Sequence, residues 1–167
     1  MNEKLNSIFL NTRKKIKKIS ENNDLFILSK EPLVATIDNF LSEKECKKFI
    51  NFSKGKLKRG LGLHKKEIIL RTGSTTFLRK DYDEETKKIV EKISFLVGLT
   101  SRNLENIQIG HYSVGQFYGY HYDAFDKNGN ATHKLNGFRQ RIFTVMIYLN
   151  HPKKGGCTRF NKIDLNV

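Results

Sequence analysis

The 167-residue sequence predicts an α+β fold in which helices buttress a sandwich or jelly roll. Three observations carry this. Two stretches with apolar residues at helical spacing, opening near residues 42 and 83, fall in the first hundred residues. The segments after residue 105 alternate at strand spacing instead, and Gly/Asn turns separate them. The length suits one domain with a real core and not two. Residues 1–30 are read as a polar, basic N-terminal arm and residues 31–167 as the domain.

In the arm, Leu25, Phe26, Ile27 and Leu28 form the one apolar patch in a Lys/Asn-rich stretch, so a loosely held helical or irregular segment is expected. Residues 33–37 read as a short strand and Asp38-Asn39 as a turn. Ser42-Glu43-Lys44-Glu45 has the pattern of a capping box, with Ser42 as N-cap and Glu45 reaching back. Cys46, Phe49, Ile50 and Ser53 then share a face, which predicts about three helical turns packed on something larger. Residues 54–66 are basic and Gly-punctuated, a loop. Residues 71–78 mix hydroxyl and apolar side chains in strand-like fashion. Asp83-Glu84-Glu85 opens a second helix at the end where its dipole favours acid, Ile89, Val90, Ile93, Leu96 and Val97 recur at helical spacing, and Gly98 ends it. Residues 105–112 read as a strand with Ile107 and Ile109 on one face, Lys127-Asn128-Gly129 as a turn, and residues 141–149 as a fully alternating strand.

The 38% hydrophobic and 11% aromatic content belongs to a folded domain and excludes a disordered tail. No run has the length of a membrane span or of a signal-peptide core, so a cytoplasmic location with no membrane association is expected. Two cysteines, Cys46 and Cys157, form neither a disulfide framework nor a zinc-site spacing, and both are expected to be buried small apolar residues. The formal net charge is +14, but the excess is dispersed: residues 1–60 hold 14 Lys+Arg against 7 Asp+Glu. With no nucleic-acid motif beside the two local clusters, at 13–18 and 54–59, this favours a Lys-rich surface over a nucleic-acid footprint. The oligomeric state is not readable.

Function is argued from residues 112–123, Tyr-Ser-Val-Gly-Gln-Phe-Tyr-Gly-Tyr-His-Tyr-Asp. On an extended backbone, successive side chains alternate faces, so His121 and Asp123 project to one side and Tyr122 to the other. One imidazole and one carboxylate can converge on a single ion, supplying two thirds of the 2-His-1-carboxylate triad that holds non-haem Fe(II). Taken alone, His-x-Asp also suits a strand end that carries surface polar groups.

The surroundings narrow the choice. Arg71-Thr72-Gly73-Ser74-Thr75-Thr76-Phe77-Leu78, residues 112–123, Gln140-Arg141-Ile142-Phe143-Thr144-Val145-Met146-Ile147-Tyr148-Leu149-Asn150 and Gly155-Gly156-Cys157-Thr158-Arg159-Phe160 resemble, in that order, the prolyl 4-hydroxylase-like branch of the iron(II)/2-oxoglutarate-dependent dioxygenases. The likeness spans about residues 32–164. It implies a double-stranded β-helix (jelly roll), with His121 and Asp123 as iron ligands and catalytic residues. It implies Tyr112 and Thr158 as cofactor-binding residues for 2-oxoglutarate, and Tyr118 and Arg141 as substrate-binding residues. Fe(II), 2-oxoglutarate and dioxygen follow as cofactors, with ascorbate beside them, and a proline-containing peptide as partner. The implied reaction hydroxylates a peptidyl proline and yields succinate and CO2. Alternatives are the same enzyme class acting on another peptidyl residue, a free amino acid or a nucleic-acid base, or an inactive binding module that keeps the peptide groove.

The resemblance also implies a distal histidine beyond the Gly-Gly-x-Thr strand as third ligand, and a lysine about ten residues later for the far carboxylate of 2-oxoglutarate. Neither precedes Val167, and His133 and His151 are expected to face solvent. On this reading the C-terminal strands are missing and the chain is a fragment or an early-terminated member of the branch.

Overall fold

A computed structural model describes residues 25–60, 70–125 and 140–167. The expected irregular arm over residues 1–24, the Lys127-Asn128-Gly129 turn and His133 lie outside the described residues. Those described form an α+β arrangement of small antiparallel sheets and two helices.

Strands β1 (Leu25–Lys30) and β2 (Leu33–Ile37) make an antiparallel hairpin, Leu25 opposite Ile37 and Lys30 opposite Leu33. The β2 expectation holds. Residues 25–30, by contrast, are a strand and not the tail of a loose arm: a run of four apolar residues has no period of its own, and pairing with β2 decides its conformation.

Helix α1 (Glu43–Ser53) starts as its sequence dictates. The Glu45 amide donates to Ser42 Oγ at 3.3 Å, while Glu45 Oε2 accepts from the Ser42 amide at 2.7 Å. Phe49 and Ser53 are buried along the expected face. Helix α2 (Glu84–Val97) has Asp83 as N-cap, with Oδ1 accepting from the Thr86 amide at 2.8 Å, and ends on Gly98 at φ 70°, a left-handed conformation that glycine adopts without a Cβ penalty. The helices are tied together at one end, where Lys48 Nζ donates to Asp83 Oδ1 (2.7 Å) and Glu85 Oε2 (2.8 Å).

The site-bearing sheet is three-stranded. Strand β3 (Lys58–Arg59) pairs with β4 (Ser74–Leu78), and β4 pairs along its whole length with β5 (Ile107–His111), Ser74 opposite His111 and Leu78 opposite Ile107. Part of the basic loop expected at 54–66 is therefore a short edge strand. Leu41, Phe49, Leu78, Ile89 and Ile109 form the core between helices and sheet, with Phe40, Cys46, Phe52, Ile93, Ile107, Ile147 and Leu149 packed against it. The expectation that both cysteines are buried is not met: Cys46 is only half-buried, packed against the core, and Cys157 is exposed.

Residues 141–149 differ from the strand their alternation predicts: among the described residues they join no ladder. Alternation specifies which side chains turn inward, but a strand also needs a neighbouring backbone to pair with. Ile147 and Leu149 nevertheless reach the core, while Val145 of the same alternating set is exposed. Downstream, β6 (Arg159–Phe160) and β7 (Leu165–Asn166) make a small hairpin. No helix among the described residues is long and apolar enough to cross a membrane.

Lys48, ahead of the Thr86 amide, pulls the Asp83 carboxyl down from 3.8 to about 2. A depressed carboxyl stabilises the fold fully above its unfolded value, and the contribution is lost as pH falls through the folded one. Because Asp83 is 38% exposed, solvent screening limits its charge contribution to about 0.5–1 kcal/mol. Asp83→Asn keeps a capping oxygen and removes the charge. Urea melts at neutral pH are expected to show the variant less stable by about that amount, with the gap closing as pH falls from 3.8 toward about 2.

Candidate metal centre

The site grows from the start of β4. Residues 70–72 are stitched to residues 117–119: the Thr72 amide donates to the Phe117 carbonyl (3.0 Å), the Phe117 amide donates back to Thr72 Oγ1 (2.8 Å), and the Gly119 amide donates to the Leu70 carbonyl (2.6 Å). Arg71 and Tyr118 form an antiparallel bridge between them. The stretch 112–123 is thus not one extended segment as expected. After β5 it turns at residues 113–116, with the Gln116 amide donating to the Ser113 carbonyl (2.9 Å) and Gly115 at φ 81°, then returns along Arg71.

His121 and Asp123 nevertheless converge, with Nε2 and Oδ1 3.3 Å apart. Each is held from behind. His121 Nδ1 is 2.8 Å from the Gly119 carbonyl; a carbonyl only accepts, so Nδ1 carries the proton and Nε2 presents a lone pair unless doubly protonated. Asp123 Oδ2 accepts from Thr144 Oγ1 at 2.6 Å. Two acceptor atoms at that separation need a proton or a cation between them. Ligands at right angles on a metal with bonds of ~2.1 Å stand ~3.0 Å apart, so the pair fits two adjacent positions of a first-row divalent ion. Among the described residues no third His, Cys, Asp or Glu joins them; His151 is exposed.

The other expected residues divide. Tyr118 lies flat on the His121 imidazole, centroids 3.7 Å apart and planes at 17°, with the Arg71 guanidinium 4.6 Å over its ring. Arg141 reaches Asp123 only weakly, Nη1 to the main-chain carbonyl at 3.4 Å. Its fork is taken by Glu105, Nε to Oε1 at 2.6 Å and Nη2 to Oε2 at 2.8 Å, which raises the guanidinium pKa further. Tyr112 packs elsewhere, over Gly73 just ahead of β4: a Cβ at Gly73 would meet its ring at 2.5 Å. Thr158 Oγ1 shares a 2.6 Å hydrogen bond with the Tyr148 hydroxyl and donates to Met146 Sδ at 3.2 Å, and its amide and carbonyl pair with Val167. The cluster therefore unites His121, Asp123, Tyr118 and Arg141, while Tyr112 and Thr158 have their contacts outside it.

A cleft of about 250 Å³ lies between Tyr120 and the β6–β7 hairpin, lined by Arg159, Phe160, Asp164 and Asn166 among others, and contains none of the six. Its shape identifies no chemistry, whereas the donor pair does. Sequence reasoning missed Gly119, Thr144 and Glu105. Thr144 lay within a motif already singled out; Glu105 carried no local signal.

No protein-family model matches the chain. It is 36% identical over 139 residues to "Prolyl 4-hydroxylase 5" of Arabidopsis thaliana, 37% over 138 to "Probable prolyl 4-hydroxylase 7" and 34% over 148 to "Probable prolyl 4-hydroxylase 8" of the same plant. These alignments take in 80%, 80% and 86% of the chain, and 46%, 42% and 50% of the relatives, so the chain spans about half the length of the curated proteins it matches. By these likenesses the chain is homologous to proteins named prolyl 4-hydroxylases over the stretch that it shares with them.

The Tyr118 stack places the His121 ring protons in the shielding cone of an aromatic face. In proton NMR the His121 resonances are expected upfield in the wild type and in Tyr118→Phe, and near ordinary positions in Tyr118→Leu. Unshifted resonances in the wild type would contradict the stack.

Proposed function

We propose that the chain forms part of an iron(II)- and 2-oxoglutarate-dependent dioxygenase that hydroxylates a peptidyl proline. The observation that carries this reading is the His121–Asp123 pair, 3.3 Å apart, each member anchored on the atom turned away from the other. Kinship with proteins named prolyl 4-hydroxylases supports the substrate class. The double-stranded β-helix belongs to the same proposal.

When bound, iron with 2-oxoglutarate supplies the oxidising chemistry: the keto acid is decarboxylated to succinate and CO2, and one atom of dioxygen ends on the substrate carbon. His121 Nε2 and Asp123 Oδ1 would hold the metal, and the Gly119 carbonyl keeps the imidazole in the tautomer that could ligate it. Tyr112 and Thr158 are assigned to the keto acid by resemblance alone, since their contacts in this structure lie outside the His121–Asp123 cluster. Tyr118, whose ring faces carry His121 and Arg71, offers its ring edge and hydroxyl, and Arg141 an N–H, toward an extended proline-containing peptide, which has few amide donors of its own and is recognised through its carbonyls. Glu105 keeps the Arg141 fork fixed, so the part left for substrate is oriented before binding.

The test is succinate release by the purified chain with Fe(II), 2-oxoglutarate and ascorbate, comparing a proline-rich peptide with single-stranded DNA. Release stimulated by the peptide and not by DNA is expected. His121→Ala should lower it by more than the ~100-fold typical of losing a group behind a ligand. An equal rate in His121→Ala would overturn the enzyme class; stimulation by DNA alone would overturn the substrate.

A further inference from the structure

Asp123 has two carboxylate oxygens and the site distinguishes them. Oδ1 faces His121 Nε2; Oδ2 is held by the Thr144 hydroxyl at 2.6 Å, within the range of a charge-assisted O–H···O⁻ bond. Thr144 is 21 positions away in sequence, so the bond depends on how its segment is fixed. Two anchors bracket it. On one side Arg141 is clamped by Glu105; on the other Ile147 and Leu149 pack against the core. Thr144 thus presents its hydroxyl from a stretch pinned at both ends.

We propose that Thr144 is a positioning residue for the metal centre: by occupying Oδ2 it turns Asp123 so that Oδ1 alone faces a divalent cation beside His121 Nε2. The proposal rests on reading His121 and Asp123 as metal ligands. Without the hydroxyl the carboxylate is free to rotate about its terminal torsion, whose energy well is broad, and the ion binds a donor that must first be ordered. Groups that orient a ligating carboxylate in this way change metal affinity by about 10–100-fold when removed.

The probe is Mn(II), followed by loss of the free-ion electron paramagnetic resonance signal on titration of the intact chain. Thr144→Val preserves shape and removes the hydroxyl; Thr144→Ser keeps the hydroxyl; His121→Ala reports on the pair itself. The expected result is a 10–100-fold weaker Kd in Thr144→Val, with Thr144→Ser within a few-fold of wild type. Circular dichroism melts of all variants should coincide; if Thr144→Val does not fold, Thr144→Ala replaces it. Equal affinity in the wild type and the hydroxyl-free variant would overturn the role of Thr144 and leave the ligand pair standing, as would equal losses in the serine and valine variants. Wild-type binding no stronger than His121→Ala would overturn the pair and the proposal together.

Discussion

Gly119 is bonded through both its amide and its carbonyl, and the rest of the centre depends on that. Its amide donates to the Leu70 carbonyl at 2.6 Å, fixing the returning chain against the residues that lead into β4, and its carbonyl receives His121 Nδ1 at 2.8 Å, fixing the imidazole. A side chain here would meet the Leu70 side chain, its Cβ 3.0 Å from Cδ2, so the close approach favours glycine. One residue thereby translates the position of the chain leading into β4 into the orientation of the His121 ring.

What holds β4 is ordinary packing. Leu78 is 1% exposed and Ile109, on the neighbouring strand, 5%, both against Phe49 of α1 and Ile89 of α2. Each fully buried aliphatic side chain of this kind contributes about 1.5–3 kcal/mol relative to exposure, far more than the exposed ion pairs of the surface, such as Lys47–Glu43. Ile147 and Leu149 enter the same core from the segment that carries Thr144. Core packing therefore fixes both halves of the centre: His121 through β4 and Gly119, Asp123 through Thr144. The helices, joined by Lys48 at the Asp83 cap, complete the layer beneath the sheet.

The parts legible in the sequence are those fixed by neighbours along the chain. The Ser42–Glu45 capping box, the Asp83 cap and the Gly98 stop are satisfied within a few residues, and residue types alone announce them. The convergence of His121 and Asp123 was legible for the same reason, as an i, i+2 relation. Residues 25–30 were not, because four successive apolar side chains carry no period and their partner strand decides. Nor was the turn at 113–116 anticipated, since the alternation argument treats the backbone as straight. Thr144 on Asp123 and Glu105 on Arg141 span 21 and 36 residues, and only the packed fold brings such groups together. Tyr118 shows a subtler gap: an aromatic assigned to substrate by family resemblance also covers a face of the His121 ring.

The account turns on the claim that His121 and Asp123 hold one divalent cation between them. Crystals of the chain grown with Mn(II) and measured near the manganese absorption edge test it most directly. The expected result is a single anomalous peak within ordinary coordination distance of both His121 Nε2 and Asp123 Oδ1, about 2.0–2.2 Å from each. Anomalous density elsewhere on the molecule, with that pair still in direct contact at 3.3 Å, would contradict it.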